Sequence, residues 1–214
     1  MHGFVDAILV VLVLTDLLLL GSFRLGASVR TSALQGVALG VLPLFAHHHG
    51  LGADAVLLAL VATGAKGVLF PWLMLRAVRI AQIPRAMKPI VGTAASVVIG
   101  MVLLVLCREL APRLPLPYSS GSTLVLPVAL FTIFCGLFLL VARRLALTQV
   151  LGYLVMENGV FAFGVAGLPP GSFTIELLVL LDLLVAVFVM GVTVSHISRT
   201  FNSIDTRQLT ELKG

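Results

Sequence analysis

Arg143 to Gly164, RRLALTQVLGYLVMENGVFAFG, sets one carboxylate, Glu157, and one amide, Asn158, about a dozen residues into an otherwise apolar helix. An acidic group at a membrane midplane costs roughly 2.5 to 3.5 kcal/mol, so it marks a functional site by default. The next hydrophobic run, ELLVLLDLLVAVFVMGV, repeats the device with Asp182. Both readings presuppose a lipid environment, which the composition supports. Hydrophobic residues make up 59% of the 214, charged residues only 11%, and the mean hydropathy is +1.14. A soluble domain carries about 25% charged residues. The apolar runs are about twenty residues long and continuous, the length of a membrane-crossing helix and not the alternating ten-residue segments of a barrel. The expected fold class is therefore an all-α integral membrane protein.

Seven transmembrane helices are expected, over residues 3–23, 32–46, 53–75, 89–107, 123–142, 145–165 and 173–195; the second is short and is interrupted by Pro43. The leading residues lack a basic region and a small-residue cleavage site, so they read as a retained first span. With the N-terminus outside, eleven of the fourteen basic residues fall in inner loops or the tail, among them Arg24, Arg30, the paired Arg143 and Arg144, and Arg199. Arg108 and Arg113 alone fall outside, and Lys66 lies within a span. That asymmetry predicts N-terminus out and C-terminus cytoplasmic. Singly scattered bases of this kind are not a nucleic-acid footprint, and no nucleic-acid partner is expected.

The orientation lets depths be compared. At about 1.5 Å per residue, Asp16, Lys66, Glu157 and Asp182 all fall near mid-depth, whereas charges that were merely tolerated would collect at helix ends and snorkel. An unpartnered buried acid is poised to gain and lose a proton, because desolvation disfavours its charged form. The alternative for Glu157 is a permanently protonated acid hydrogen-bonded across a helix pair, with Asn158 as a partner. Lys66 lies between Gly64 and Gly67, which allow a helix or water chain to approach; it either exchanges protons or forms a static ion pair with Asp16. For Asp16 the static role is expected. Glu176 reads as a solvated helix-end residue.

RTSALQGVAL from Arg30 loosely resembles RLALTQVLGY from Arg144, with Gln35 opposite Gln149 and Lys66 near the register of Asp182; such duplications are common in transporters. Pro43, Pro71 and Pro127 each remove a helix donor. His47, His48 and His49 point in different directions on a helix and suit interfacial capping better than metal binding. Trp72 and Tyr153 read as packing or interface anchors. Cys107 and Cys135 have no metal-ligand spacing and support no disulfide framework. No nucleotide loop, nucleophile elbow or haem-attachment motif is present, so no redox cofactor is expected in this chain.

GYLVMENGVFAFG, then LLDLLVAVFVMGV, then SIDTRQLTELKG together resemble component E of hydrogenase-4 type complexes. RRLALTQVLGYLVMENG also resembles the second span of the K subunit of bacterial complex I and the C subunit of Mrp-type antiporters. Counted from the paired arginines, the glutamate comes one helical turn later than in the K subunit, on the same face. Where that family has a glutamate on its next helix, this sequence has Asp182. The resemblance implies a three-helix K-subunit-like segment at 123–198, preceded by a four-helix segment at 1–122 and followed by a cytoplasmic tail at 199–214. It further implies a non-redox subunit of a hydrogenase-like, redox-driven ion pump in the inner membrane. Its partners would be antiporter-like and other membrane-arm subunits and lipids, with a nickel-iron centre and iron-sulfur clusters housed in the partner subunits. On that view the proton pathway comprises Glu157, Asp182, Lys66, Asp16 and Asn158. An antiporter component without redox chemistry and a purely structural spacer remain the competing readings.

Overall fold

The computed structural model describes residues 2–46, 53–80, 91–114, 122–143 and 145–167, with the isolated positions 184 and 191. Every regular element among the described residues is helical. Helix α1 runs His2–Gly21, α2 Leu25–Ala46 and α3 Ala53–Ala62. A π-helical turn over Thr63–Leu69 joins α3 directly to α4, Phe70–Ile80. Helix α5 spans Thr93–Leu110 and ends in a 3-10 turn over Ala111–Arg113; α6 is Val125–Ala142 and α7 is Ala146–Gly167. In lipid each backbone polar group must be satisfied within the chain, and runs of Leu, Val, Ala and Phe do this as helices. Five of these helical stretches are long and apolar enough to cross a membrane: Gly3–Gly21, Leu25–Leu44, Ala59–Arg79, Thr93–Arg113 and Val125–Ala142. Helix α7, of 22 residues, packs among them.

Two expected boundaries are corrected. The second span is not short: α2 begins at Leu25 and carries Arg30 on its exposed face, where a long side chain can reach the interface. Pro43 sits inside the helix without ending it. The third span continues past residue 75 to Ile80, taking in Arg76, whose guanidinium lies 5.3 Å from the exposed Trp72 ring, an interface-anchor arrangement. Apart from positions 184 and 191, the seventh expected span lies outside the described residues, as do the tail and the histidine run.

Two contacts fix the relation of the first and sixth helices. The Ser122 hydroxyl donates to Asp6 Oδ1 at 2.5 Å and the Thr132 hydroxyl to Asp16 Oδ2 at 2.7 Å. Both pairs are 116 residues apart in sequence, so α1 and α6 run parallel. Helices α6 and α7 form a tight antiparallel pair, built on small residues. A Cβ on Gly136 would sit 2.2 Å from the Met156 nitrogen, one on Gly152 2.6 Å from the Leu140 nitrogen, and one on Gly159 2.7 Å from the Ile133 nitrogen. Backbone meets backbone at these points, the close approach by which membrane helices gain packing where no hydrophobic drive exists between them.

The apolar interior is divided in two. One core gathers Leu19, Leu25, Phe70, Met74, Leu139 and Leu147. The other gathers Leu9, Leu12, Leu42, Ala62, Val128 and Phe161. Between them on every one of the five contributing stretches stands a buried polar residue: Asp16 on α1, Gln35 on α2, Lys66 on the π turn, Thr132 on α6, and Glu157 with Asn158 on α7. The bundle is thus apolar, polar, apolar along its length. Helix α5 packs outside this arrangement against α1 and α6, presenting Val98, Met101, Val102 and Val105 outward.

Replacing Gly152 with Val drives a side chain into backbone that cannot yield. Overpacking of this kind costs about 1 to 3 kcal/mol or more. The variant is expected to lose thermal stability in detergent, whereas Gly26→Ala, where nothing lies within 4 Å of the added Cβ, should be neutral or slightly stabilising.

Candidate functional site

Lys66 stands on the π turn, where the Phe70 N–H bonds back to the Ala65 carbonyl, five residues earlier. Pro71, one residue further on, has no N–H to contribute, which accounts for a disturbed register here. The turn is pressed against α2. A Cβ on Gly36 would fall 2.7 Å from the Lys66 backbone, and one on Gly40 2.8 Å from the Thr63 backbone. Gly67 meets the Val37 side chain, while nothing lies within 4 Å of a Cβ on Gly64. The glycines that admit Lys66 to the interior are therefore mainly those of α2, with Gly67 assisting.

The Lys66 ammonium forms an ion pair with Glu157 Oε1, and both side chains are at most 2% exposed. The same ammonium lies 4.8 Å from the centre of the Phe161 ring. Phe161 is four residues beyond Glu157 and so on the same helix face, where its π cloud adds to the field holding the cation. This corrects two expectations: Glu157 has a basic partner, supplied by another helix, and Lys66 is paired with Glu157 and not with Asp16.

Asn158 faces about 100° around the helix from Glu157. Its Nδ2 donates to Gln35 Oε1 at 3.0 Å, so the expected pairing of Glu157 with Asn158 gives way to a contact with α2. Gln35 Nε2 in turn donates to Asp16 Oδ1 at 2.8 Å and to Thr15 Oγ1 at 3.3 Å, while Thr132 supplies the second oxygen of Asp16. A hydrogen-bonded line thus crosses the bundle from α7 through α2 and α1 to α6, every member being 3% exposed or less. Beside Lys66 and Asn158 is a cavity of about 10 Å³ bounded by Ser32, Phe70, Met74 and Leu151, enough for one water.

Four of the five residues singled out in the sequence are thereby brought to one level; Asp182 lies outside the described residues. Gln35 and Thr132 were not foreseen as members. Gln35 offered a signal, a large amide at mid-depth in an apolar run. Thr132 offered none, since a threonine in a helix satisfies itself on the preceding turn, as Thr15 does on the Val11 carbonyl at 2.8 Å. Arg143, assigned to an inner loop, is 4% exposed: its Nη2 donates to the Leu20 and Ser22 carbonyls at 3.5 and 3.3 Å, and its guanidinium covers Phe23 at 4.8 Å. It closes the end of α1 onto the α6–α7 connection. Among the described residues there is no cluster of His, Cys, Asp and Glu able to hold a metal ion.

An uncharacterized protein of Mycobacterium tuberculosis is 30% identical to this chain over 207 residues, covering 94% of the chain and 92% of that protein. Hydrogenase-4 component E of Escherichia coli K12 is 32% identical over 154 residues, 70% of this chain and 69% of that protein, and the Shigella flexneri protein of the same name matches to the same extent. The aligned length exceeds the ninety or so C-terminal residues that carry the recognisable motifs. No family model matches the chain, and no solved structure does.

Removing one partner of a buried ion pair leaves an uncompensated charge and costs about 3 to 5 kcal/mol, whereas replacing both with apolar residues is often neutral. Glu157→Leu alone is therefore expected to lower the unfolding temperature sharply, and Lys66→Met together with Glu157→Leu to recover most of the loss. Additive losses in the double variant would show that the two side chains do not neutralise each other.

Proposed function

The chain belongs to the hydrogenase-4 component E family, and from that premise we propose that it is a non-redox, proton-carrying subunit of a hydrogenase-like, redox-driven ion pump. In this reading it crosses the inner membrane seven times with its N-terminus outside and its C-terminus in the cytoplasm. Nickel-iron and iron-sulfur centres belong to partner subunits, and the outward apolar faces of α3 and α5 meet lipid or the neighbouring subunits of the membrane arm.

The observation that carries the proposal is the Lys66–Glu157 pair, seated between two apolar cores. Its chemistry closes as a cycle. A proton reaching Glu157 neutralises the acid and withdraws the counter-charge that it gave the Lys66 ammonium, which makes the cation more costly to hold in a medium of low dielectric. Lys66 then sheds a proton toward the other side. Transfer of the remaining proton from Glu157 to Lys66 restores the ion pair, and one proton has crossed. Asn158 and Asp16 extend the hydrogen-bonded level of the site, and Asp182 continues the path on the seventh span. Redox chemistry elsewhere in the complex would drive the cycle by favouring one arrangement of the pair over the other.

Glu157→Gln keeps the shape of the side chain and removes its proton site. In proteoliposomes holding the whole complex, proton uptake per redox turnover is expected to fall about tenfold or more. An unchanged stoichiometry would take Glu157 out of the path, and retention of pumping after neutralising Glu157, Asp182 and Lys66 together would leave the subunit a structural spacer.

A further inference from the structure

Asp16 has a chemistry separate from the pair. It is fully buried and, among the described residues, forms no ion pair; its two oxygens are held instead by the Gln35 amide and the Thr132 hydroxyl. Among the described residues the other titratable side chains nearby are Lys66 and Glu157, beyond Gln35 and Asn158, and the Cys135 thiol on α6, with Cys107 of α5 in the same apolar core. Among the described residues this level holds two carboxyl groups, Asp16 and Glu157, and one ammonium, Lys66, so a proton on Asp16 brings their charges into balance. Asp16 lines neither the cavity beside Lys66 nor the groove at Leu103 and Phe134, and its oxygens are already closed in by Gln35 and Thr132, a packing that accommodates the smallest cation, a proton.

The hydrogen bonds show how that proton is received. Asn158 donates to Gln35, Gln35 donates to Asp16, and Thr132 donates to Asp16, so every donor along the line points toward the carboxylate. This polarity suits the ionised acid. When a proton binds at Oδ2, the Thr132 hydroxyl has only to turn its hydrogen onto its own helix, as Thr15 already does, and its oxygen then accepts from the acid. The bond from Gln35 to Oδ1 weakens as the charge on the carboxyl group disappears, since hydrogen bonds to an ionised acceptor are about twice as strong. Gln35 also holds Asn158, the residue next to Glu157, so the change reaches α7.

We propose that Asp16 is a second proton-binding site whose occupancy Gln35 communicates through Asn158 to the Lys66–Glu157 pair, with Thr132 as the hydroxyl that accommodates the proton. Gln35 and Thr132 are positioning residues in this scheme. The inference rests on the proton-carrying reading above but concerns linkage between two sites, which exists whether or not the complex pumps.

The test is infrared difference spectroscopy of the whole complex in lipid, with the Asp16 and Glu157 carboxyl bands assigned by Asp16→Asn and Glu157→Gln and followed against pH. Asp16→Asn is expected to move the Glu157 midpoint by about half a pH unit or more, a threefold change in proton affinity, and to have no such effect in a Gln35→Met background. Thr132→Val should displace the Asp16 band and its midpoint, while Thr132→Ser, which keeps the hydroxyl, should leave them near the wild type. Should Gln35→Met compromise folding, the Thr132 pair decides the matter. A Glu157 midpoint indifferent to Asp16, or Val and Ser variants that behave alike, would overturn the proposal. Linkage seen without proton uptake in the same preparation would instead count against the pumping role alone.

Discussion

An ammonium and a carboxylate, each all but inaccessible, neutralise one another between helices 91 residues apart in sequence. Neither would be tolerated singly. A lone ion in a low-dielectric interior carries a penalty of several kcal/mol, and only close pairing with further polar contacts offsets it. The geometry of the bundle follows from this requirement. The Lys66 backbone has to reach the interior, so the helix that carries it is widened by a π turn and lies directly on Gly36 and Gly40 of α2. Glu157 has to meet it there, so α7 is held close to α6 through Gly136, Gly152 and Gly159.

The same constraint explains the layering. Apolar side chains in a membrane protein gain little from leaving lipid, so the two cores contribute mainly shape and dispersion. Fixing which helix faces which falls to the polar level between them. Gln35 is central in that respect: one amide accepts from α7 and donates to α1, tying three helices with two well-formed hydrogen bonds. The titratable members of that level, Asp16, Lys66 and Glu157, are thereby set together between two apolar cores.

Much of this was legible in the sequence because cost leaves a signature. Asp16, Lys66 and Glu157 are conspicuous in apolar runs, and depth counted from the span ends put them near mid-depth together with Asp182, which lies outside the described residues; the structure holds the first three at one level, with Asn158. What sequence could not supply was pairing. Depth alone allowed Lys66 to meet Asp16 or Glu157, and only the packing of α2 against the π turn decides it. The start of the second span was misjudged where an arginine was taken as its limit: Arg30 lies on the exposed face of α2, which begins at Leu25, whereas the helix before Arg143 ends at Ala142 as expected, with the Arg143 side chain turned onto the Leu20 and Ser22 carbonyls. Thr132 left no trace, since its hydroxyl is inconspicuous until an acid from another helix lies beside it.

The central claim is that Lys66 and Glu157 are direct partners inside the membrane. It is tested most directly by exchanging their charges, Lys66→Glu with Glu157→Lys, and measuring recovery of assembled complex and its proton uptake in proteoliposomes. Each single substitution places two like charges together and should abolish assembly. The exchanged pair should restore assembly and a substantial part of the uptake, whereas an exchanged pair as defective as either single variant would contradict the account.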